Sequence, residues 1–177
     1  MPYTFLLGGA RSGKSALAGR MAVESGEPVV FIATGEPRDE EMAARIRRHR
    51  DDRPATWRTI EAPLDLLAAF RSTSPGDFLI VDCLTLWVSN LLESGVDSDA
   101  ISAAADGVAR ELVLRRGVVV SNEVGLGIVP ANELARAFRD VLGAVNVTFA
   151  GLASRAVLMV AGRALELGSA ELGVRPD

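Results

Sequence analysis

Residues Gly8-Gly9-Ala10-Arg11-Ser12-Gly13-Lys14-Ser15 of this 177-residue chain fit the pattern G-x-x-x-x-G-K-[ST], which is typical of a phosphate-binding loop. A short apolar run, residues 4–7, precedes it, and a stretch of helical pattern, residues 14–24, follows it. Between a strand and a helix, the backbone amides of such a loop point at a polyphosphate, and the positive end of the helix dipole adds to their field. We predict that Lys14 neutralises the β and γ phosphate oxygens and that the Ser15 hydroxyl binds Mg²⁺.

Lys14 is the single lysine among the 19 basic residues of the chain, and all the others are arginines. Surface ion pairs can be formed by either lysine or arginine, so a compositional bias can replace lysine with arginine at such positions. A position that stays lysine against this bias indicates a need for a compact ammonium group, which a planar guanidinium cannot replace. This composition supports a catalytic role for Lys14 in the phosphate loop.

Short apolar runs alternate with helical stretches along the chain. The predicted strands cover residues 4–7, 29–33, 57–60, 78–81, 118–120 and 157–160, and the predicted helices cover residues 14–24, 39–50, 64–70, 98–115 and 132–142, the last with a possible extension. Continuous apolar strands separated by helices are typical of a mostly parallel sheet with helices on both faces. We predict an α/β fold in a single domain over residues 1–177, with a loose tail after Leu167.

Composition narrows the class of protein further. With a net charge of −4 and 49% hydrophobic residues, the chain can bury a sizeable core, and bulk charge does not favour nucleic acid as a partner. The single cysteine, Cys83, and the single histidine, His49, exclude an internal disulfide and a Cys/His zinc site. No basic leader and no apolar run of about 18 residues is present. We expect a cytoplasmic protein, without membrane insertion, that acts on small molecules.

Two acidic residues follow predicted strands at the edge where α/β sheets bind ligands. Asp82 follows the apolar strand over residues 78–81, and Glu123 follows the strand over residues 118–120. A carboxylate in such a place is often only a helix cap or a turn residue. The phosphate loop favours a metal-binding role for Asp82 together with Ser15, and the role of Glu123 stays open.

His49 shares one face of a predicted helix with Met42 and Ile46, which turns it towards the body of the protein. Four arginines surround it, namely Arg45, Arg47, Arg48 and Arg50. Nearby positive charges disfavour the imidazolium, and the same charges attract a triphosphate, so the ring could attack phosphorus and form a covalent intermediate. A structural histidine packed over Ile46 fits the same spacing and is the commoner case, so the residues alone leave both roles open.

Four blocks of sequence resemble the bifunctional adenosylcobinamide kinase / adenosylcobinamide-phosphate guanylyltransferase family of cobalamin biosynthesis. The blocks reach from near the start to about residue 150, and the His-Arg-x-x-Arg-Pro block is the most specific of them. They are the phosphate loop, Arg45-Ile46-Arg47-Arg48-His49-Arg50-Asp51-Asp52-Arg53-Pro54 with Trp57, Val81-Asp82-Cys83-Leu84-Thr85-Leu86-Trp87, and Asn122-Glu123-Val124-Gly125-Leu126-Gly127-Ile128-Val129-Pro130.

The resemblance implies a P-loop, RecA-like fold and two reactions on one chain. ATP or GTP would phosphorylate adenosylcobinamide, and GTP would then transfer GMP to that phosphate through a guanylyl group on His49. Catalysis would rest on His49 and Lys14, with Mg²⁺ at Ser15 and Asp82. The resemblance further implies a homo-oligomer. It also implies nucleotide contacts, besides the phosphate loop, from Ala33, Thr34, Gly35, Arg50, Asp51, Asp52, Arg53, Glu61 and Asp82.

One departure from the family pattern is visible after Gly143. The family usually reads Asn-Gln where this chain has Asn146 and Val147, so any contact made by that glutamine amide is in question. Two other functions stay open: a P-loop kinase for another small alcohol, with a structural His49, or a GTP-binding switch. The single lysine argues against the switch, because it excludes an N-K-x-D guanine motif.

Overall fold

The computed structural model describes residues 3–168, so the expected tail lies, from residue 169 on, outside the described residues. Its strands are β1 (Thr4–Gly8), β2 (Val29–Ala33), β3 (Arg58–Glu61), β4 (Phe78–Asp82), β5 (Gly117–Val120), β6 (Arg155–Val160) and β7 (Arg163–Leu167). Its helices are α1 (Lys14–Ser25), α2 (Glu40–Asp51), α3 (Leu66–Arg71), α4 (Leu84–Glu93), α5 (Ser98–Val113) and α6 (Glu133–Leu152).

The seven strands form one sheet in the order β3-β2-β4-β5-β1-β6-β7. Every neighbouring pair is parallel except β6 and β7, which form an antiparallel hairpin. Strand residues alternate between two apolar cores. The first contains Phe5 and Ile32 with residues of α3 to α6, and the second contains Leu6 and Phe31 with residues of α1. The predicted α/β sheet with helices on both faces is confirmed, with α1 covering one face.

The structure adds two elements to those predicted, α4 and β7. Helix α4 follows β4 after one residue, Cys83, which caps the helix without a side-chain hydrogen bond, so the usual start signal of a helix is missing. Strand β7 is exposed along its length and follows a turn in which Ala161 and Gly162 both have positive φ. Alanine is unusual in such a turn, so the sequence pattern does not mark the hairpin.

The order of the strands places the phosphate loop beside Asp82. Strand β1 lies between β5 and β6, and β5 also pairs with β4, so the carboxyl ends of β1, β4 and β5 meet at one edge of the sheet. Asp82 is aligned with Val120 across the β4–β5 pair. Ligands of open α/β sheets bind at this edge, where the order of the strands reverses.

Helix α2, which carries His49, has no buried residue. The Asp39 side chain caps its first turn by accepting a hydrogen bond from Met42 N at 2.6 Å. Just before the cap, Arg38 pairs with Glu93 and donates to Asn90 Oδ1 at 2.7 Å, which ties the start of α2 to α4. The helix is therefore held at its start while its sides stay open to solvent.

Among the helices within residues 3–168, none is both long enough and apolar enough to cross a membrane.

Candidate active site

Backbone conformation explains why two positions of the phosphate loop are glycine. Gly13 has φ 99°, which side chains rarely adopt, and it directly precedes α1. At Gly8 a Cβ atom would lie 2.3 Å from the carbonyl oxygen of Met159 in β6. The turn between β6 and β7 supports the loop from the same side, because Gly162 N donates to Ser12 O at 3.0 Å.

The Lys14 side chain lies against the carbonyl groups of its own loop. Its ammonium donates to Gly8 O and Gly9 O, both at 2.7 Å, and to Ser12 Oγ at 3.3 Å, and Lys14 is only 6% exposed. Burial lowers the pKa of Lys14, and the neighbouring Cys83 and Asp82 oppose that shift. Three acceptors around one small group match the three donors of an ammonium.

Ser15 and Asp82 form the candidate metal site. The Ser15 hydroxyl donates to Asp82 Oδ2 at 3.3 Å. Burial raises the pKa of Asp82, while the neighbouring His49, the Ser15 hydrogen bond, Arg53 and Lys14 lower it. A hydroxyl and a carboxylate are oxygen ligands of the kind that Mg²⁺ takes together with phosphate and water. The side chains present therefore fit Mg²⁺, although residues 3–168 hold no group of three or more His, Cys, Asp or Glu that could form a metal cage.

We expect Asp82→Asn to raise the Mg²⁺ concentration needed for half-maximal activity by about 10-fold or more, because the change is nearly isosteric and removes a ligand charge. The measurement is a Mg²⁺ titration of turnover. Asp99→Asn, an exposed position in the first turn of α5, is the matched control. An unchanged Mg²⁺ dependence in the Asp82 variant contradicts the role assigned to this carboxylate.

Thr34 fixes the backbone that follows Asp82. Its hydroxyl donates to Cys83 O at 2.7 Å and accepts from Cys83 N at 2.8 Å, and the Thr34 side chain is fully buried. Asn90, itself 4% exposed, donates to Thr34 O at 2.8 Å. The predicted contact of Thr34 with nucleotide stays a prediction, and its hydrogen bonds indicate that its side chain positions the end of β4.

The reactivity of the buried Cys83 thiol reports on the burial of the backbone that follows β4. Burial and the neighbouring Asp82 charge raise the pKa of the Cys83 thiol to about 11. At pH 8 about one thiol in a thousand is then ionised, so we expect native protein to react with iodoacetamide far more slowly than urea-unfolded protein. Mass spectrometry of the single cysteine reports the rate directly. Equal labelling rates in the native and unfolded states would contradict the burial of this residue.

Two cavities adjoin at the carboxyl edge of the sheet. The phosphate pocket, of about 450 Å³, is lined by residues 10–16 and by side chains of α2, Thr85 and Asn122. The side pocket, of about 560 Å³, lies between the outer face of α1 and residues 52–57, over Phe31 and Ile80. The residues common to both walls are Ser15, Ala16, His49, Arg53 and Asp82.

His49 is exposed and lies on this common wall. Met42 and Ile46 line the phosphate pocket with it, so the face predicted from their spacing exists, but it faces the pocket and not the core. His49 is therefore not packed into the protein core over Ile46, as a purely structural role would require. The ring is therefore accessible to a ligand in either cavity.

Of the other residues predicted to contact nucleotide, some line the two cavities and others lie outside them. Ala33, Gly35, Asp52 and Arg53 line one or both cavities. Exposed Arg50 and Glu61 form an ion pair at 3.9 Å near the end of α2, and Asp51, at its last turn, lines neither cavity. Gly8 and Gly9 contribute carbonyls to Lys14. All these contacts stay predictions.

The structure adds site residues that the sequence reasoning did not single out. Thr85 and Asn122 line the phosphate pocket, and Thr85 Oγ1 accepts from Asn122 N at 2.9 Å. Each lies within three residues of the end of a buried strand. That position in the sequence could have marked both as candidate site residues. Phe31 forms the floor of the side pocket, with the Arg53 guanidinium 3.4 Å above its ring centroid.

The loop between β1 and α1, with a carboxylate at the end of β4, defines a P-loop nucleotide-binding protein. Solved structures have the same fold. The match to the flagellar accessory protein FlaH from Methanocaldococcus jannaschii covers 94% of this chain and 77% of that chain, with a TM-score of 0.51 and 15% identity. The match to the type III secretion ATPase EscN from enteropathogenic E. coli covers 90% of this chain and 43% of that chain, with a TM-score of 0.53 and 10% identity. At this identity the likeness concerns the fold alone.

The family model for cobinamide kinase / cobinamide phosphate guanyltransferase matches residues 4–167. The chain is 46% identical to the bifunctional adenosylcobalamin biosynthesis protein CobP of Pseudomonas aeruginosa, over 92% of this chain and 95% of that protein. It is 42% identical to the bifunctional adenosylcobalamin biosynthesis protein CobU of Salmonella typhimurium, over 88% of this chain and 93% of that protein. The chain belongs to this family of enzymes, and the resemblance seen in its sequence is confirmed.

Proposed function

We propose that the two adjoining cavities catalyse two successive reactions of cobalamin biosynthesis. The first phosphorylates the aminopropanol hydroxyl of adenosylcobinamide with ATP or GTP, and the second transfers GMP from GTP to that phosphate. The products are adenosyl-GDP-cobinamide and pyrophosphate. The observation that carries the proposal is the position of His49 on the wall common to both cavities, with Ser15, Arg53 and Asp82.

In the kinase reaction the acceptor hydroxyl attacks the γ phosphorus and loses its proton to solvent, the bond from γ phosphorus to the bridging oxygen breaks, and a nucleoside diphosphate leaves. Lys14 and the amides of the phosphate loop stabilise the charge that develops on the leaving group. The Lys14 ammonium donates to Gly8 O and Gly9 O of this loop, and it would exchange these partners for phosphate oxygens.

In the transferase reaction an imidazole nitrogen of His49 attacks the α phosphorus and pyrophosphate leaves, which yields guanylyl-His49. A phosphate oxygen of adenosylcobinamide phosphate then attacks the same phosphorus, and the bond between phosphorus and nitrogen breaks. The arginines beside His49 on α2 favour a triphosphate near the ring. The same loop and the same lysine serve the departing pyrophosphate.

Ser15 and Asp82 would hold Mg²⁺ in both reactions. The ion supplies charge neutralisation on the phosphate oxygens. Burial raises the pKa of Asp82, and the Ser15 hydrogen bond and the neighbouring Arg53 and Lys14 oppose that shift.

We further propose that one domain over residues 1–177 carries both reactions, since both cavities are built on one sheet. Assembly into a homo-oligomer, which the family resemblance implies, and a cytoplasmic location, which the composition led us to expect, stay predictions. Light scattering tests the first, and fractionation of the source cells tests the second.

The decisive test is the intact mass of the protein after incubation with GTP and Mg²⁺. Two-step chemistry predicts a covalent GMP adduct that disappears when adenosylcobinamide phosphate is added. A kinase for another small alcohol and a GTP-binding switch both predict an unmodified protein. Absence of the adduct under conditions that support turnover contradicts the proposed mechanism.

A further inference from the structure

Asn122 follows the strand that lies between the two parts of the candidate site expected to act on phosphate. Strand β5 pairs with β1 on one side and with β4 on the other. Strand β1 leads into the phosphate loop, and β4 ends at Asp82. Asn122 comes two residues after the end of β5, and it lines the phosphate pocket but not the side pocket. It therefore belongs to the cavity that would take the phosphate groups.

One carbonyl oxygen connects the backbone beside Asn122 with the Lys14 ammonium. Gly8 O accepts from Lys14 Nζ at 2.7 Å and from the backbone N of Glu123, the next residue after Asn122, at 3.3 Å. The ammonium and this part of the backbone therefore lie around the same atom. In a phosphate loop the lysine reaches the β and γ phosphates. A side chain that lines the pocket beside this ammonium is placed to meet the terminal phosphate.

Two side chains from different helices hold the main chain of Asn122. Its backbone N donates to Thr85 Oγ1 of α4 at 2.9 Å, and its carbonyl oxygen accepts from Asn146 Nδ2 of α6 at 3.1 Å. Asn146, which is 6% exposed, also accepts from Ser121 Oγ at 2.6 Å. The backbone at Asn122 is thus fixed through its peptide groups, without use of the Asn122 side chain.

The side chain of Asn122 has hydrogen-bonding groups to offer a ligand. Within residues 3–168, no residue forms a hydrogen bond with its amide group. An asparagine amide has two donors on nitrogen and an acceptor oxygen. A neutral donor forms a stronger hydrogen bond with a charged phosphate oxygen than with an uncharged acceptor, whereas a carboxylate in the same place would repel phosphate.

We propose that Asn122 is a catalytic residue of the kinase reaction, and that its side-chain nitrogen donates a hydrogen bond to an oxygen of the terminal phosphate. This inference rests on the proposed function. The amide stabilises the phosphoryl group in transfer, while Lys14 stabilises the nucleoside diphosphate that leaves. In the transferase reaction the attacked atom is the α phosphorus, so the amide contacts only the departing pyrophosphate.

The kinetic test compares Asn122→Ala and Asn122→Asp in the full-length protein. Both variants keep the backbone hydrogen bonds to Thr85 and Asn146, so both are expected to fold. We expect Asn122→Ala to lower kcat of the kinase reaction about 10²-fold and to change KM for the acceptor less than about threefold. Asn122→Asp is expected to lose at least as much activity. Formation of the GMP adduct from GTP is expected to fall less than about 10-fold.

Asn132→Asp is the matched control for the change of charge. Asn132 is exposed and lines neither cavity, and aspartate in its place would still cap α6. The control is expected to keep wild-type rates in both reactions. A kinase kcat within about threefold of wild type in Asn122→Ala would overturn the inference.

A binding measurement separates this inference from the proposed function, because it needs neither acceptor nor adduct. In calorimetric titrations with Mg²⁺, we expect Asn122→Ala to bind a non-hydrolysable GTP analogue about 10-fold more weakly than wild type, with the affinity for GDP changed less than about twofold. That difference supports the contact to the terminal phosphate even if wild-type protein forms no GMP adduct. A parallel loss of affinity for both nucleotides, or no loss for either, overturns it.

Discussion

Lys14→Arg is expected to lower both the kinase and the guanylyltransferase rate by about 10²- to 10³-fold or more, the loss seen when one preorganised charge-stabilising donor is removed. The ammonium contacts three acceptors within 3.3 Å and is almost completely buried. A planar guanidinium is larger and directs its donors in a fork, so it cannot occupy this position without displacing the loop carbonyls.

Two controls belong to this experiment. Lys14→Met keeps a similar side-chain length without the charge, and we expect it to be folded and equally inactive. Circular dichroism and thermal unfolding of both variants show whether the fold is preserved. Wild-type turnover by Lys14→Arg in either reaction would refute the role assigned to the ammonium group.

The second large effect is a separation of the two activities at His49. His49→Asn is expected to abolish the GMP adduct and to reduce guanylyl transfer by at least about 10³-fold, because the substitution removes the imidazole that forms the covalent bond to phosphorus in the proposed mechanism. Phosphorylation of adenosylcobinamide should remain substantial, since in that reaction the substrate's own hydroxyl attacks. GTP labelled at the α phosphate, with a parallel kinase assay, measures both outcomes.

The chemistry of the adduct provides an independent check. A bond between imidazole nitrogen and phosphorus is labile in acid and stable in base, unlike a phosphoester of serine or threonine. Glu41→Ala controls for disturbance of α2, because Glu41 is an exposed residue of the same helix that lines neither cavity. Label that persists on the His49 variant, or an acid-stable adduct on wild type, would contradict the mechanism.

Local sequence patterns predicted those parts of the site that depend on chain-local geometry. The phosphate loop, the strand that ends at Asp82 and the face shared by Met42 and His49 all follow from spacing along the chain. The reciprocal hydrogen bonds of Thr34 and Cys83 join residues 49 positions apart, and no local pattern encodes them. For the same reason, sequence reasoning could not show that His49 would lie where two cavities join.

Helix α4 illustrates a second limit. Half of its residues are buried, its solvent-facing polar stripe is only Thr85, Ser89 and Glu93, and it follows β4 without a side-chain cap. The identity of the side chains could be read from the sequence, but the change of backbone from strand to helix depends on packing against α6 and the sheet.

The position of β1 between β5 and β6 has a consequence for synthesis on the ribosome. The phosphate loop is encoded within the first 15 residues, yet its strand pairs with residues 118–120 and 155–159, and its glycine and serine carbonyls are contacted from residues 123 and 162. Contacts so distant in sequence form late in folding. A nascent chain therefore carries its nucleotide-binding motif for most of translation without a nucleotide-binding site, and affinity for nucleotide arises only when the last strands emerge from the exit tunnel.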